Sequence, residues 1–203
     1  MIRFLVPAFA AALLASGAPA LSQAAPIDSP AGTYALDKAH ASLTWRVNHL
    51  GLSMYTARFT GFDATIELDP ANPTRSSVQV TIDPKSVRTD FPFADKTNFD
   101  QKIAEEILMA KEHPEIRFRS TALRATGATT GQMTGELTFL GVTRPVTLDV
   151  RLNAAMPNPF TNVPTLGFSA SGKIKRSEFG STVYAPGIGD EVELIIEAEF
   201  QKQ

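Results

Sequence analysis

Few residues in this 203-residue chain have types suited to chemistry, and their spacing narrows what they can do. Asp37, His40 and Ser42 are the residue types of a hydrolase triad. They fall within six residues, on what reads as a turn and a strand start, whereas triads are assembled in space from separate segments around an oxyanion hole. No serine sits in a Gly-x-Ser-x-Gly elbow. The three histidines are His40, His49 and His113. The first two are nine apart, which on an unbroken strand puts them on opposite faces, and no pair has the i, i+4 spacing of a helical zinc motif. The chain has no cysteine, which removes thiol nucleophiles, disulfide frameworks, Cys-ligated zinc and Cys-bound iron–sulfur clusters together. His40 therefore reads as a turn or packing residue and His113 as a helix-end residue. Gly187-Ile188-Gly189 is a lone fragment outside any strand–glycine–helix context, so it makes no nucleotide site. No catalytic group, metal or cofactor is expected.

Charge names no partner either. Nineteen basic residues against twenty-one acidic ones leave a formal charge of −2, with no basic stripe for nucleic acid and no polybasic patch for anionic lipid. The N-terminus is different in kind. Met1-Ile2-Arg3 is a short positive start, Phe4 to Ala15 is apolar, and Ser22-Gln23-Ala24 places small residues where a signal peptidase reads. Residues 1–24 thus read as a secretory signal, with cleavage after Ala24 favoured because cleavage after Ala25 would leave Pro26 first. No later apolar run approaches the roughly 20 residues of a membrane-spanning helix. Residues 25–203 then form one exported domain without an integral membrane segment.

The elements that must position any site follow from period-two alternation. Gly135 to Leu152 is the clearest: Met133, Leu137 and Phe139 share one parity, and Val146, Leu148, Val150 and Leu152 resume it after Gly141 and Pro145. This predicts a long hairpin with one apolar face, Gly141 in the turn and Pro145 at a strand start or edge. Similar strands are predicted at Thr33–Leu36, Ser42–His49, Arg58–Asp69, Ser77–Ile82, around Ile116–Arg119, at Leu166–Ile174 and at Glu191–Phe200. Asp37–His40 reads as a tight turn, Gly61 as a bulge, and Asn153–Pro164, with three prolines, as a loop. Between Pro84 and Pro114 the period changes: Phe99, Ile103, Ile107 and Ala110 recur at three and four, predicting an amphipathic helix of about three turns capped by Asn98 with Gln101 or Thr97 with Asp100. Strands with single apolar faces and short connections predict an all-β, mainly antiparallel fold. A closed barrel is favoured over a sandwich because closure hides sheet edges. The helix falls over one barrel end.

Several stretches together resemble the YceI-like family of exported lipid-binding proteins. They are Tyr34–Ser42, His49–Ser53 leading to Arg58-Phe59, Thr81–Val87, His113–Phe118, the Gly135–Val150 hairpin, Lys175–Gly180 and Gly189–Val192. No one motif is specific, but they occur in order across essentially the whole of residues 25–203. The resemblance implies an extended lipocalin-like eight-stranded barrel with a helix near its opening. It also implies a periplasmic protein that binds a polyisoprenoid, such as a quinone tail or polyprenyl lipid. The segment Phe91–Phe99 departs from the family pattern, which puts the identity of the ligand in doubt.

Such a ligand needs a long apolar space, and the inward parity supplies its walls. Candidate ligand-binding residues are Trp45, Val47, Phe62, Ile66, Val80, Phe99, Ile103, Phe118, Leu137, Phe139, Val150, Phe168 and Leu194, with Ile196 beside them. Arg58 or Arg176 would meet a head group. The same side chains could simply fill a small barrel, so a filled barrel acting as a periplasmic stress-related interaction module stays open. An exported enzyme whose site residues are not visible is a third class. The edge of an incompletely closed barrel could also pair across a homodimer.

Overall fold

The computed structural model describes residues 23–203. The secretory signal expected over residues 1–24 thus falls outside the described residues, save its last two positions.

Ten strands form one antiparallel sheet. They are β1 (Gly32–His49), β2 (Ser53–Phe59), β3 (Phe62–Leu68), β4 (Ser77–Ile82), β5 (Val87–Arg88), β6 (Ile116–Ala125), β7 (Thr130–Phe139), β8 (Val142–Pro157), β9 (Pro164–Lys175) and β10 (Ile188–Lys202). Eight of them run β1-β10-β9-β8-β7-β6-β4-β3 and return to β1, closing a barrel. The seam is long: Leu43 lies opposite Ile196 and Val47 opposite Val192. With β10 bonded to β1, the wall of the barrel closes within the chain, and the sheet ends on β5. β2 and β5 continue the wall at one end, where β2 pairs with the second half of β1.

The long strands differ from the sequence expectation in two places. β1 does not stop at Asp37–His40. Four residues between Leu36 and Ala41 stand opposite the one residue between Phe200 and Ala198 of β10, so the predicted turn is a bulge inside a continuous strand. Its cause is the one that suggested a turn: Asp37 Oδ1 accepts from Ala39 N at 3.0 Å. Pairing on both flanks then carries the strand through. Likewise the loop predicted over Asn153–Pro164 shrinks to residues 158–163, because β8 runs to Pro157 and β9 starts at Pro164, which face each other at the hairpin tip. Prolines at strand ends cost no ladder bond. Pro145 sits in β8 before its pairing with β9 begins at Leu148, so its missing N–H is not needed there.

The β7–β8 turn is built on Leu140 and Gly141, at φ +50° and +74°. Two positive φ values in a two-residue loop match the twist of flanking strands. Gly141 is required twice over, since a Cβ there would lie 3.0 Å from His113 Cε1. The predicted strand Arg58–Asp69 is also corrected: it is not one strand bulged at Gly61 but two, β2 and β3, separated at Thr60-Gly61 and paired with different halves of β1, and a Cβ on Gly61 would lie 2.8 Å from that of Ser86.

The helix is shorter than the periodicity predicts. α1 (Phe99–Lys102) is one turn, capped by Asn98 Oδ1 accepting from Gln101 N at 3.0 Å. Ile103–Ile107 continues it with wider winding, closed by Leu108 N donating to Ile103 O at 3.0 Å, an i→i+5 bond. Asp100 does not cap from Thr97 as the alternative had it. Its Oδ1 accepts from Thr89 N (2.8 Å) and Oγ1 (2.5 Å), tying the helix to the segment after β5.

Candidate binding cavity

The barrel is hollow. A cavity of about 800 Å³ runs through its interior, in the size range of small-molecule sites. One end carries α1 and its continuation, the β1–β2 turn and the loop between β9 and β10; this is the helix end. Towards the other end, Tyr34, Leu36, Leu68, Leu166 and Phe200 pack into a second core, with Tyr34 and Leu166 fully buried. Tyr34 is buried without loss because its hydroxyl donates to Pro30 O at 2.7 Å.

The period-two reading places side chains correctly relative to this space. Trp45 and Val47 of β1, Phe62 and Ile66 of β3, and Val80 of β4 all line it. So do Phe118 of β6, Leu137 and Phe139 of β7, Val150 of β8, Phe168 of β9, and Leu194 and Ile196 of β10. Phe99 and Ile103 reach it from the helix. Phe99 is held by aromatic contacts, edge-on to Tyr55 at 6.2 Å and tilted against Phe91 at 5.0 Å. The divergent Phe91–Phe99 segment is thus what anchors the helix over the barrel.

The two candidate head-group arginines separate. Arg58 lies outside the cavity, forked onto Asp90 at 3.0 and 3.2 Å in an exposed pair. Its partner comes from the loop after β5, which strand parity does not reveal. Arg176 is in the cavity wall and only 5% exposed. Its Nε donates to Gly189 O (2.8 Å), Nη1 to Ser181 O (3.2 Å) and Val183 O (2.8 Å), and Nη2 to Ile188 O (2.8 Å). This one guanidinium therefore folds the β9–β10 loop around itself. Asp190 fixes the loop's other side, accepting from Ser177 N and Oγ at 2.8 Å each. Those bonds, with Arg176 and Lys175 adding a smaller pull, hold the Asp190 carboxyl below its usual range.

That loop and the β1–β2 turn supply lining residues the sequence reading passed over: Leu50, Val183, Tyr184, Ala185 and Gly187. They come from segments punctuated by Gly and Pro, and Val183-Tyr184 within such a segment was the available signal. Leu50 N donates to Gly187 O at 2.7 Å, and Tyr184 Oη donates to Glu106 Oε2 at 2.9 Å. The loop is therefore tied to β1 on one side and to the helix on the other.

The triad-like residues are elsewhere. His40 Nδ1 bonds Asp37 Oδ2 at 2.9 Å on the β1 bulge, and Gln201 Nε2 donates to the same oxygen at 2.7 Å. None of the three lines the cavity. The His40 hydrogen bond lowers the Asp37 carboxyl, and the Asp37 bond and charge raise the His40 imidazole. Glu199 faces the bulge, and Asp37, His40 and Glu199 bring ligand-type atoms within 4.8 Å of one another. Weighing histidines by spacing alone could not bring in Glu199, which arrives through the β1–β10 register.

Comparison with known proteins agrees with this architecture. The YceI-like domain family matches residues 34–200. Protein YceI of Salmonella arizonae is 37% identical over 175 residues, covering 85% of this chain and 88% of that protein. The crystal structure of the Campylobacter jejuni YCEI protein has a TM-score of 0.64 at 29% identity, over 77% of this chain and 90% of that one. A polyisoprenoid binding domain from Saccharophagus degradans shares the fold at TM-score 0.57 and 15% identity, over 86% and 100%. Matched by that family over most of its length and by a relative across nearly all of the barrel, the chain belongs to the YceI-like family.

Proposed function

We propose that this protein binds a long-chain isoprenoid lipid inside the barrel, for sequestration, storage or transport, and catalyses no reaction. The observation that carries the reading is the cavity: about 800 Å³ of space walled by aliphatic and aromatic side chains from every long strand. A barrel filled by its own side chains would not keep that space. Burying a methylene is worth about 0.8 kcal/mol, so a five-carbon isoprene unit contributes about 3–4 kcal/mol gross. Ordering the chain takes back several kcal/mol, and a few units suffice for tight binding. The fold-sharing Saccharophagus degradans domain is described as polyisoprenoid binding, which supports the same ligand class here. Among the described residues, the cavity wall carries His49 and Lys102 but no carboxylate, so a carboxylate–carboxylate acid–base pair has no members there. Residues 1–24 would direct export to the periplasm.

Native mass spectrometry of the purified protein, with organic extraction of what co-purifies, tests this. A stoichiometric long-chain isoprenoid is expected. Ala170 lines the cavity between Val150 and Ile196, so Ala170→Phe should obstruct the path of a long chain and reduce the bound mass while the barrel still folds. A protein that stays ligand-free after incubation with quinones and polyprenols would sink the lipid reading and favour a module acting through protein contacts.

A further inference from the structure

The outer face of the closing seam carries a group of side chains that the cavity does not use. On β10, Ala198 and Phe200 are buried in the barrel, so Glu199 between them belongs to the outer face. It stands opposite the β1 bulge, which holds Asp37 and His40. Asp37, His40 and Glu199 each offer one ligand-type atom, and the three atoms lie within 4.8 Å of one another. Two strands from opposite ends of the chain supply them, and only the seam brings them together. Their charge is not balanced by the nearby lysine: Lys38, inside the bulge, reaches away to Asp63 at 2.7 Å. Asp37 Oδ2 is met instead by His40 Nδ1 at 2.9 Å and by the neutral amide of Gln201 at 2.7 Å. Two carboxylates thus converge on one imidazole, a repulsion that a bound cation would relieve. The group is also open to solvent. The His40 side chain is 59% exposed, and Gly167, opposite Glu199 on β9, has no side chain to cover it.

We propose that Asp37, His40 and Glu199 bind a divalent transition-metal ion of the zinc type on the outer wall of the barrel, where it pins the β1 bulge to β10. One imidazole with two carboxylates and no thiolate is a set that zinc and its neighbours accept, and three protein ligands leave a position for water. Zinc–nitrogen and zinc–oxygen bonds of about 2.0–2.2 Å set neighbouring ligand atoms about 3.3 Å apart on a tetrahedron. His40 Nδ1 and Asp37 Oδ2, at 2.9 Å, are already close to that spacing, and the ion takes the place of the proton between them. Glu199 closes the rest by rotation of its long side chain. Calcium and magnesium bind six or more oxygen ligands and find too few here. The site lies outside the cavity, so it holds whether or not a lipid fills the barrel.

Calorimetric titration of zinc chloride into untagged, metal-stripped protein tests this. One ion should bind per chain, and millimolar calcium or magnesium should not displace it. Glu199→Gln keeps the shape of the side chain and should weaken binding by at least about tenfold, the loss seen even for an outer partner of a metal ligand. His40→Gln should remove the binding, and His113→Gln should leave it unchanged. Zinc should also raise the Tm of the parent and fail to raise that of Glu199→Gln at the same concentration, a contrast that a lone surface histidine would not produce. Unaltered affinity in Glu199→Gln overturns the site. So do binding that is lost with His113, displacement by millimolar calcium, and a titration with no one-to-one phase.

Discussion

His40 and Asp37 show how much a single contact can report. Both lie on the β1 bulge, outside the cavity, and each shifts the other's proton equilibrium. The imidazole is raised above its ordinary 6.5 by the Asp37 hydrogen bond, and the carboxyl is lowered below its ordinary 3.8 chiefly by the same bond. Stability from the raised imidazole is fully present below the unfolded histidine value and is lost as pH rises through the folded one. Stability from the lowered carboxyl is present above the unfolded aspartate value and is lost as pH falls through the folded one. The pair therefore contributes most between those two ordinary values, and weakly, because His40 is exposed. NMR titration of the His40 ring should give a midpoint above that of an unperturbed histidine, and Asp37→Asn should lower it towards that value, with Glu199 still holding it somewhat up. A midpoint that ignores the substitution would mean the bulge is not held by this bond. Strand parity sees neither this pair nor the difference between Arg58 and Arg176. Asp90, the partner of Arg58, lies in a loop, and Arg176 is met by carbonyls of the β9–β10 loop and of the first residues of β10, neither of which leaves a periodic mark on the sequence.

At the scale of elements, alternation was enough to assign the inward face of the long strands, because burial on one side of a sheet imposes period two whatever the partners are. It failed where local chemistry and long-range pairing disagree. Asp37–His40 has the composition of a turn, and Asn153–Pro164 that of a loop, yet pairing with β10 and β9 extends strand through the first and into both ends of the second. The helix failed in the opposite sense: its apolar repeat is present, but the i→i+5 bond at Leu108 cuts regular α-geometry to one turn. Such a short element draws its position from neighbours, namely Tyr55, Phe91 and the Tyr184–Glu106 bond. That last bond joins two segments at the helix end, the β9–β10 loop and the helix. Removing it with Tyr184→Phe should leave thermal stability nearly unchanged, since an exposed hydrogen bond contributes about 1 kcal/mol or less, and should speed ligand release. Stopped-flow displacement of a bound quinone, followed by Trp45 fluorescence, measures this directly because Trp45 is the single tryptophan and lines the cavity. An unchanged release rate would place the exit away from this contact.

For the whole molecule, closure and hollowness have separate consequences. The β1–β10 seam completes the hydrogen-bonded wall without help from a ligand, so the empty protein should fold and unfold cooperatively. The interior nevertheless leaves about 800 Å³ whose lining lacks contact atoms on one side. Access is polarised. Among the described residues, the exposed large apolar side chains Leu50, Leu52, Met54, Phe93, Met109, Val183 and Tyr184 all lie at the helix end, against Met156 and Phe160 at the other. An apolar ligand meets compatible surface at the end where the loop and helix can part, and then passes to a wall of the same character. A ligand that binds only the closed barrel stabilises it by mass action, by about 2.7 kcal/mol at a hundredfold excess over Kd. For a domain of this size each kcal/mol raises Tm by about 2–4 °C, so a saturating isoprenoid quinone should raise Tm by about 5–10 °C. Ala170→Phe separates the effect from nonspecific protection. With its ring placed in the path of a long chain, it should melt near the wild-type ligand-free temperature and gain less from added quinone. If the variant gains as much as the parent, the ligand is binding to the outer apolar end and not within the barrel.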